Sequence, residues 1–483
     1  MICVGMIITM LLLLTMPTMA YSPYQNYTYD ADKKSNIEPQ AYIPYDTIGT
    51  EKLKLSLKEP QDLYIHNDKI YIADTGNNRI VITDLNGKEV RVLDTFKNNG
   101  TDDTFNKPGG VFLTESERLY VADTNNERIV EFDKDLNFVR SVARPQSAMF
   151  TSDMAYRPKR ISVDTAGRIF VVSEDMSNGM IELDHDGSFV GFFGAVKTKP
   201  KLWDLIVRFF ATDEQKERMS LIIPTEYSSN DIDSKGFVYG TVGIIDPDNF
   251  DESMFIHRLN PIGDDILNRE GTTAPMGDAE FVIDEKTNQY LPSMLNDVCV
   301  KDCGIYTVLD RRFGRVFTYD DDGNLLYVFG SLGTSFGQFK IPVAVDSFGD
   351  NFAVLDSELS QIILFEPTEY GKLITNAVKS AYNRDYDGAC DYWMQTLKFT
   401  SKSELSYSGV GDAMFNQGDY EQAMVYYKLG NNRKYYSAAF EQYRIIFLDH
   451  YFSIIIAAIA VIIVLLIALK IYKKKHRSAR KGG

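Results

Sequence analysis

Three Asp–Arg pairs with one shared spacing are the first residues in this sequence that could carry chemistry. The pairs are Asp74 with Arg79, Asp123 with Arg128, and Asp310 with Arg315. A carboxylate beside a guanidinium can hold a substrate or assist proton transfer. A catalytic group is not normally repeated at one spacing, however. The recurrence therefore favours a structural role, in which the Asp accepts backbone N–H bonds in a turn and the Arg bridges to the neighbouring unit.

Other catalytic signals are weak. The five histidines are scattered along the chain, and no His-Glu-x-x-His, Gly-x-Ser-x-Gly, P-loop or dinucleotide motif occurs. Acidic runs such as DDDGN (320–324) are explained by turn chemistry, because a calcium loop needs more ligands and a terminal Glu. The sequence therefore predicts no catalytic residue, no metal ligand and no cofactor, and leans away from an enzyme.

Two cysteines lie close together in the segment DVCVKDCGIY. Cys299 and Cys303 are near enough to bridge a tight hairpin, whereas a C-x3-C spacing without a nearby His is not a convincing zinc site. The sequence leaves a Cys299–Cys303 disulfide and two free thiols open as alternatives.

The turns that hold the Asp–Arg pairs belong to a repeat. The segment IYIADTGNNRIVITD (70–84) recurs as LYVADTNNERIVEFD (119–133) and IYTVLDRRFGRVFTYD (305–320), each a strand, a polar turn and a strand. A strand led by proline precedes each unit, and units begin near 60, 108, 158, 224, 292 and 342. This length is typical of propeller blades, so we predict six four-stranded blades. A strand at 41–49 is predicted to close the last blade.

The Pro-led strands and the segments 70–84 and 119–133 resemble NHL repeats, which build six-bladed β-propellers. The resemblance covers roughly 55–375, and the third, fourth and sixth units are degenerate. It implies a scaffold that binds proteins or other ligands at a mouth of its central channel. The candidate rim residues are Thr75, Gly76, Asn77, Asn78, Asn125, Asn126, Lys159, Arg160 and Glu226.

A second repeat follows the propeller. RDYDGACDYW (384–393) and GDYEQAMVYY (418–427) align at an offset of 34 residues, which is the tetratricopeptide period. The second copy resembles that family more closely. Helices are predicted at about 369–383, 387–398, 403–417 and 420–429, and another helix at 432–452 is predicted to run into a membrane span. The segment 201–219 also has helical spacing and is predicted to be an insertion in the propeller.

Both ends of the chain are apolar. Residues 2–20 read as a secretory signal peptide, although no basic residue precedes them and an uncleaved anchor is the alternative. Residues 451–469 carry no charge and are followed by a basic tail, as the positive-inside rule requires. We predict a single-pass type I protein of the cell membrane with its bulk outside the cytoplasm.

The predicted domains are a signal peptide (1–20), an N-terminal segment with the closing strand (21–54), an NHL-like propeller (55–375), tetratricopeptide-like helices (376–449), a transmembrane helix (450–472) and a cytoplasmic tail (473–483).

Charge narrows the possible partners. The formal net charge is −16 and residues 470–483 contribute +7, so residues 1–469 carry −23. Such an acidic region excludes nucleic acid as a natural partner.

The leading hypothesis is a membrane-anchored scaffold for a protein partner or an envelope ligand, beside a transporter or an envelope complex. One alternative is a hydrolase resembling propeller lactonases, with a divalent metal in the channel. A second is a ligand sensor that acts through a membrane partner.

Overall fold

The computed structural model describes residues 22–151, 154–195, 226–243, 254–269, 271, 273–278, 282–283, 290–291, 293–301 and 303–479. The predicted signal peptide (1–20), the predicted inserted helix (201–219) and the prolines predicted to open the fourth and fifth blades lie outside these residues. The chain divides into two compact units, Met1–Asn383 and Arg384–Gly483, which are described separately below.

Six antiparallel sheets form the first unit. Blade 1 consists of Asp62–His66, Lys69–Asp74, Arg79–Asp84 and Arg91–Leu93; blade 2 of Pro108–Leu113, Leu119–Asp123, Arg128–Phe132 and Phe138–Ala143; and blade 3 of Pro158–Val163, Ile169–Ser173, Met180–Leu183 and Phe189–Phe193. Blade 4 has Tyr227–Ile232, Val238–Val242 and Ile256–Leu259 among the described residues; blade 5 has Leu295–Val300, Tyr306–Asp310, Arg315–Tyr319 and Leu325–Phe329; and blade 6 has Pro342–Phe348, Asn351–Asp356, Gln361–Pro367 and Tyr42–Ile48.

The first strands of successive blades contact one another all the way round, which makes the six sheets a closed ring. Their side chains and those of the second strands are buried on both faces, because each sheet is covered by the next. Large clusters of buried aliphatic and aromatic side chains fill the spaces between adjacent blades. The predicted six-bladed propeller is thus confirmed.

The ring closes through a strand from the N-terminal segment. Tyr42–Ile48 pairs antiparallel with Gln361–Pro367 and forms the outer strand of blade 6. Tyr42 is fully buried, and its ring centroid lies 5.0 to 5.1 Å from those of Tyr327, Phe329 and Phe352. The Tyr42 hydroxyl donates a hydrogen bond to the Asp350 carbonyl at 2.8 Å. One residue therefore joins the closing strand to both of the last two blades.

Smaller elements flank the blades. They are the hairpins Asn26–Tyr29 with Ser35–Glu38, Thr95–Asn98 with Thr101–Thr104, and Val282–Ile283 with Tyr290–Leu291; the 3-10 turns Thr75–Asn77 and Thr124–Asn126; and the helices Thr50–Leu53 and Glu369–Tyr382. The helix Glu369–Tyr382 follows the last strand directly and lies in the first unit. The predicted domain boundary at 375–376 falls inside this helix.

The second unit is helical. Its helices are Tyr386–Thr396, Glu404–Gln417, Tyr420–Leu429 and Arg433–Ala479. Consecutive helices contact one another, and two glycines permit the close approach. A Cβ on Gly409 would lie 2.4 Å from the Trp393 ring, and one on Gly411 would lie 2.6 Å from the Tyr427 ring. The helix Arg433–Ala479 contains a segment of mean hydropathy 3.4 with no buried residues, long and apolar enough to span a membrane.

Candidate functional site

The predicted rim turn of blade 1 is held by hydrogen bonds within the protein. Asp74 is fully buried, and its carboxylate accepts from Lys58 N at 2.7 Å, Arg79 Nε at 2.7 Å and Asn77 Nδ2 at 2.9 Å. Arg79 also donates to the Ser56 carbonyl at 2.9 Å. Residues 56–58 form the connector that enters the first strand of blade 1. The Asp–Arg pair therefore ties this connector to its own blade, rather than bridging to the neighbouring blade.

The link to the next blade comes from the threonine that follows each Asp. Thr75 Oγ1 donates to the Pro108 carbonyl of blade 2 at 2.6 Å. Thr124 Oγ1 donates to the Pro158 carbonyl of blade 3 at 2.7 Å. The sequence signal for the contact between blades is therefore the Asp-Thr dipeptide shared by the first two repeats, and not the Asp–Arg pair.

Blade 2 repeats the arrangement of blade 1. Asp123 accepts from Asn106 N at 2.7 Å, Arg128 Nε at 2.8 Å and Asn126 Nδ2 at 2.9 Å. Arg128 also donates to Asp103 at 2.7 Å, on the connector that enters blade 2. Blades 1 and 2 thus use the pair for the same structural task.

Blade 5 departs from this arrangement. Arg315 forms its ion pair with Asp278 and donates to the Tyr27 hydroxyl at 3.1 Å. Asp310 instead accepts from the backbone N–H groups of Met294 at 3.1 Å and Arg312 at 2.9 Å. Asp310 and Arg315, the third predicted pair, therefore face each other on adjacent strands but form no ion pair.

Apart from Arg160, which is described below, the remaining candidates lie on the connector face, defined as the side of the ring where connectors enter the first strands. A Cβ on Gly76 would lie 2.5 Å from the Lys58 carbonyl, so this residue has no room for a side chain. Asn78 Oδ1 accepts from Lys107 N at 2.8 Å, Asn125 Oδ1 accepts from Arg157 at 3.3 Å, and Glu226 accepts from Asp175 N at 2.9 Å. Burial lowers the pKa of Lys159. Most of these side chains therefore serve the fold.

Cys299 and Cys303 are both free thiols, so the disulfide alternative is not what the structure contains. Cys299 lies on the first strand of blade 5 and its Sγ donates to Asp346 Oδ1 at 3.3 Å. Burial raises the pKa of the Cys299 thiol.

The central channel contains acidic residues that the sequence analysis did not single out. Alternate residues of a strand point the same way, so each first strand presents two successive side chains to the axis. One level holds Asp62, Arg160, Ser229 and Asp297, and the next holds Tyr64, Phe112, Asp231, Cys299 and Asp346. The space left between them is a cavity of about 30 Å³, enough for one or two waters.

Arg160 fills the axis. Its side chain is only 4% exposed, and it reaches from blade 3 to the carbonyls of Gly109 and Gln61, both at 2.8 Å. Its Nε lies 3.3 Å from Asp62 Oδ1 and 3.6 Å from Asp297 Oδ1. One guanidinium therefore joins blades 1, 2, 3 and 5 at the centre of the ring. Arg160 thus lies on the axis and not at the predicted rim.

Each channel carboxylate also joins its blade to the next one. The acceptors and donors are Asp62 with Val111 N (2.9 Å), Asp231 with Val300 N (2.8 Å), Asp297 with Val345 N (2.8 Å), and Asp346 with Ile65 N (2.6 Å). A signal for these residues does exist in the sequence. Each is an Asp at an inward position of the first strand of its blade, where a solvated turn cannot explain it.

Burial dominates the electrostatics of the channel. It raises the pKa of Asp62 to about 7 despite the nearby Arg160 guanidinium, and it raises the pKa of Asp297 as well. Burial, together with the neighbouring Asp346 carboxyl, raises the pKa of Asp231 to about 8. Burial also raises the pKa of Asp346 to about 7. Several channel carboxyls therefore keep their protons near neutral pH.

Stability should consequently fall as the pH rises. An unfolded Asp loses its proton near pH 4, whereas Asp62, Asp231 and Asp346 hold theirs to about pH 7 or 8. Between these pH values the folded state binds more protons than the unfolded state. Each group therefore lowers the free energy of unfolding by up to about 1.4 kcal/mol for every unit by which the pH rises. We expect the thermal midpoint, measured by circular dichroism, to decline from pH 5 to pH 8.

Asp231→Asn should flatten that decline, because the amide still accepts from Val300 N but does not ionise. Asp135→Asn, in an exposed turn, is the matched control and should leave the slope unchanged. A midpoint that rises between pH 5 and pH 8 would contradict this account of the channel.

The carboxylates do not suit a divalent metal. Oxygen donors from several blades meet on the axis, as the hydrolase alternative requires, but the Arg160 guanidinium lies between Asp62 and Asp297. Each of the four carboxylates also uses an oxygen on a backbone N–H group. Among the described residues, no three His, Cys, Asp or Glu side chains are grouped so that they could hold a metal ion. A metal-dependent reaction on this axis is therefore poorly supported.

A cavity much larger than the 30 Å³ space on the axis lies at the end of the channel away from the connector face. The hairpin face is the side of the ring where the first and second strands of each blade are joined. There a cavity of about 780 Å³, called the mouth cavity, is lined by residues of blades 1 to 4. Tyr64 and Phe112 line both this cavity and the narrow channel. The candidate binding space is therefore on the face opposite the predicted rim.

Comparisons with known proteins bear on the fold. No protein-family model and no curated protein matches the chain. Solved structures that resemble it include a streptogramin B lyase (11% identity, 68% of this chain, 98% of that chain, TM-score 0.40) and virginiamycin B lyase from Staphylococcus aureus (10%, 67%, 99%, 0.40). The Myceliophteria thermophila Cps50 (Swd1) β-propeller domain is another (10%, 68%, 100%, 0.38). These similarities concern the propeller fold alone.

Proposed function

We propose that this chain is a membrane-anchored binding protein, whose propeller presents a rigid surface outside the cytoplasm to a protein partner or an envelope ligand. The observation that supports this most is the closed axis. Arg160 and the channel carboxylates form bonds between blades, which stiffen the ring and leave only about 30 Å³ of free space. A substrate has no room there, whereas the outer faces remain available for binding.

The C-terminal sequence supports the anchored arrangement. The uncharged run 451–469 is followed by the basic tail, so the helix would cross the membrane with the tail in the cytoplasm. The resemblance of 55–375 to NHL repeats and of 384–427 to tetratricopeptide repeats favours interaction over catalysis. We propose that the partner belongs to a membrane complex, such as a transporter or an envelope complex.

Site-specific photo-crosslinking in native membranes tests this proposal. A photoreactive residue would replace Asn125 on the connector face, Ser116 on the hairpin face, or Val92 on the outer strand of blade 1; all three positions are exposed. We expect a discrete adduct from one face and none from Val92. Equal labelling at all three positions, or no adduct from either face, would count against a dedicated binding surface.

An activity screen completes the test. The purified full-length chain would be incubated with lactones and esters, with and without added divalent ions. We expect no turnover above that of a control without the protein. Metal-dependent turnover that this control lacks would favour the hydrolase alternative instead.

A further inference from the structure

We infer that a pocket at the outer edge of blade 5, called the edge pocket, binds a neutral saccharide. This inference rests on the proposed binding function and gives it a ligand class. The volume of the pocket is about 460 Å³, within the range of about 300–1,000 Å³ that is usual for small-molecule sites. Its walls come from the N-terminal segment 22–37 and from Asp278, Arg315 and Ser331 beside blade 5.

One wall of the edge pocket is a face of the N-terminal hairpin, residues 26–38. Alternate residues of a strand lie on the same face. Tyr27 and Tyr29 therefore share a face with their cross-strand partners Ile37 and Ser35, and all four residues line the pocket. The opposite face of the hairpin packs on the outer strand of blade 5. The pocket thus has a flat wall that is fixed to the propeller.

This wall offers an aromatic and aliphatic surface. Tyr27 and Tyr29 are half-buried, with their ring centroids 5.8 Å apart, and both hydroxyls donate to Asp278 Oδ1 at 2.6 Å. The hydroxyls are therefore used within the protein, and the rings remain to contact a ligand. Ile37 is 69% exposed beside them. The three side chains form a continuous apolar patch, which suits the apolar face of a pyranose ring.

The charges of the edge pocket cancel. Among the described residues that line it, Asp278 and Arg315 carry the charges, and they form an ion pair with each other. Asp310, opposite Arg315 on the adjacent strand, is fully buried. The hairpin tip, residues 30–34, adds two Asp and two Lys, so it has no net charge either. A charged ligand would lose water without gaining an unpaired partner, which favours a neutral ligand.

Polar groups around the patch suit sugar hydroxyls rather than a purely apolar ligand. The Arg315 side chain is 37% exposed, and its Nε and Nη2 groups form no hydrogen bond with any described residue. These two groups lie on one edge of the guanidinium and can donate to two adjacent hydroxyls. Gln25 and Ser35 are exposed at the rim and add further donors and acceptors. A ligand with several hydroxyls, one apolar face and no charge matches the pocket.

Titrations followed by ligand-observed NMR test this inference with the full-length chain. The micelles should consist of a detergent without a sugar headgroup, so that the detergent does not compete for the pocket. The neutral probes are cellobiose and N,N′-diacetylchitobiose, and their charged analogues are cellobiuronate (anionic) and chitobiose (cationic). We expect at least one neutral disaccharide to bind with a dissociation constant of about 1 mM or lower, and about fivefold or more tightly than its charged analogue.

Three variants connect the binding to the edge pocket. Ile37→Ala should weaken it about fivefold without lowering the thermal midpoint, because the deleted side chain is exposed. Arg315→Lys keeps the positive charge beside Asp278 but loses the paired N–H groups, and it should also weaken binding about fivefold. Ile262→Ala is the matched control, since Ile262 is 80% exposed on a turn of blade 4 outside the pocket, and it should leave the affinity unchanged.

Failure of both neutral disaccharides to bind would overturn the inference. Tighter binding of a charged analogue, or binding that Ile37→Ala leaves unchanged, would overturn it as well. A partner captured by crosslinking while no saccharide binds would contradict this inference and leave the proposed binding function intact.

Discussion

Arg160→Met should lower the free energy of unfolding by about 3–5 kcal/mol at pH 8, because it removes one partner of a buried ion pair. The substitution keeps the apolar bulk of the side chain but leaves Asp62 and Asp297 without their guanidinium. It also deprives the Gly109 and Gln61 carbonyls of a buried donor. Urea unfolding of the full-length chain, followed by far-ultraviolet circular dichroism, measures the loss.

The loss should shrink at pH 5, where Asp62 can take up a proton and remain buried without charge. The double variant Asp62→Asn with Arg160→Met should recover part of the stability at pH 8 for the same reason. Arg160→Lys is the matched control for charge, and it should be intermediate because an ammonium cannot form the same forked contacts. A variant with wild-type stability at pH 8 would show that the guanidinium does not hold the ring together.

Tyr42→Ala should cost about 3–5 kcal/mol, the usual range when a large buried aromatic side chain is truncated. The deleted ring contacts Tyr327, Phe329 and Phe352, so the cavity would open between the closing strand and blade 5. We expect a lower urea midpoint and faster proteolysis of the N-terminal segment, both measured against the wild-type chain.

Tyr42→Phe separates the ring from its hydroxyl. It removes the hydroxyl, with its hydrogen bond to the Asp350 carbonyl, and should cost about 1 kcal/mol. If Tyr42→Ala were no more destabilising than Tyr42→Phe, the aromatic contacts would not be the source of stability at the closure.

The six blades and the helical segment after them could be predicted from the sequence, because each blade repeats its own pattern of strands and turns, whereas the flanking hairpins follow no such repeat. The segments 70–84 and 119–133 contain every residue needed for a strand, a 3-10 turn and a second strand. The partner of each Asp–Arg pair could not be read in this way. That partner is a backbone carbonyl on a connector 23 or 24 residues before the Arg, and a backbone carbonyl leaves no mark on the residue types of the sequence.

The cluster of four carboxylates in the channel is the main feature that was not predicted from the sequence. A single Asp in a buried strand looks like an exception to alternation, and only the ring brings four such residues to one axis. Asp62 and Asp297 occupy one inward position, whereas Asp231 and Asp346 lie one inward position further along their strands. Aligning the repeats therefore does not superpose the four residues. Arg315 is a related case, because its partner Asp278 lies in a stretch without strand alternation.

The way the ring closes also determines when the propeller can be completed during synthesis. Tyr42–Ile48 leaves the ribosome before any blade, but its partner Gln361–Pro367 is made after the other five blades. The early strand must therefore wait unpaired while most of the domain is translated. Contacts between such distant segments form slowly, and an unpaired strand invites association with other chains. A nascent chain interrupted before Gln361 would lack the partner of the closing strand, so the ring would stay open with that N-terminal strand unpaired.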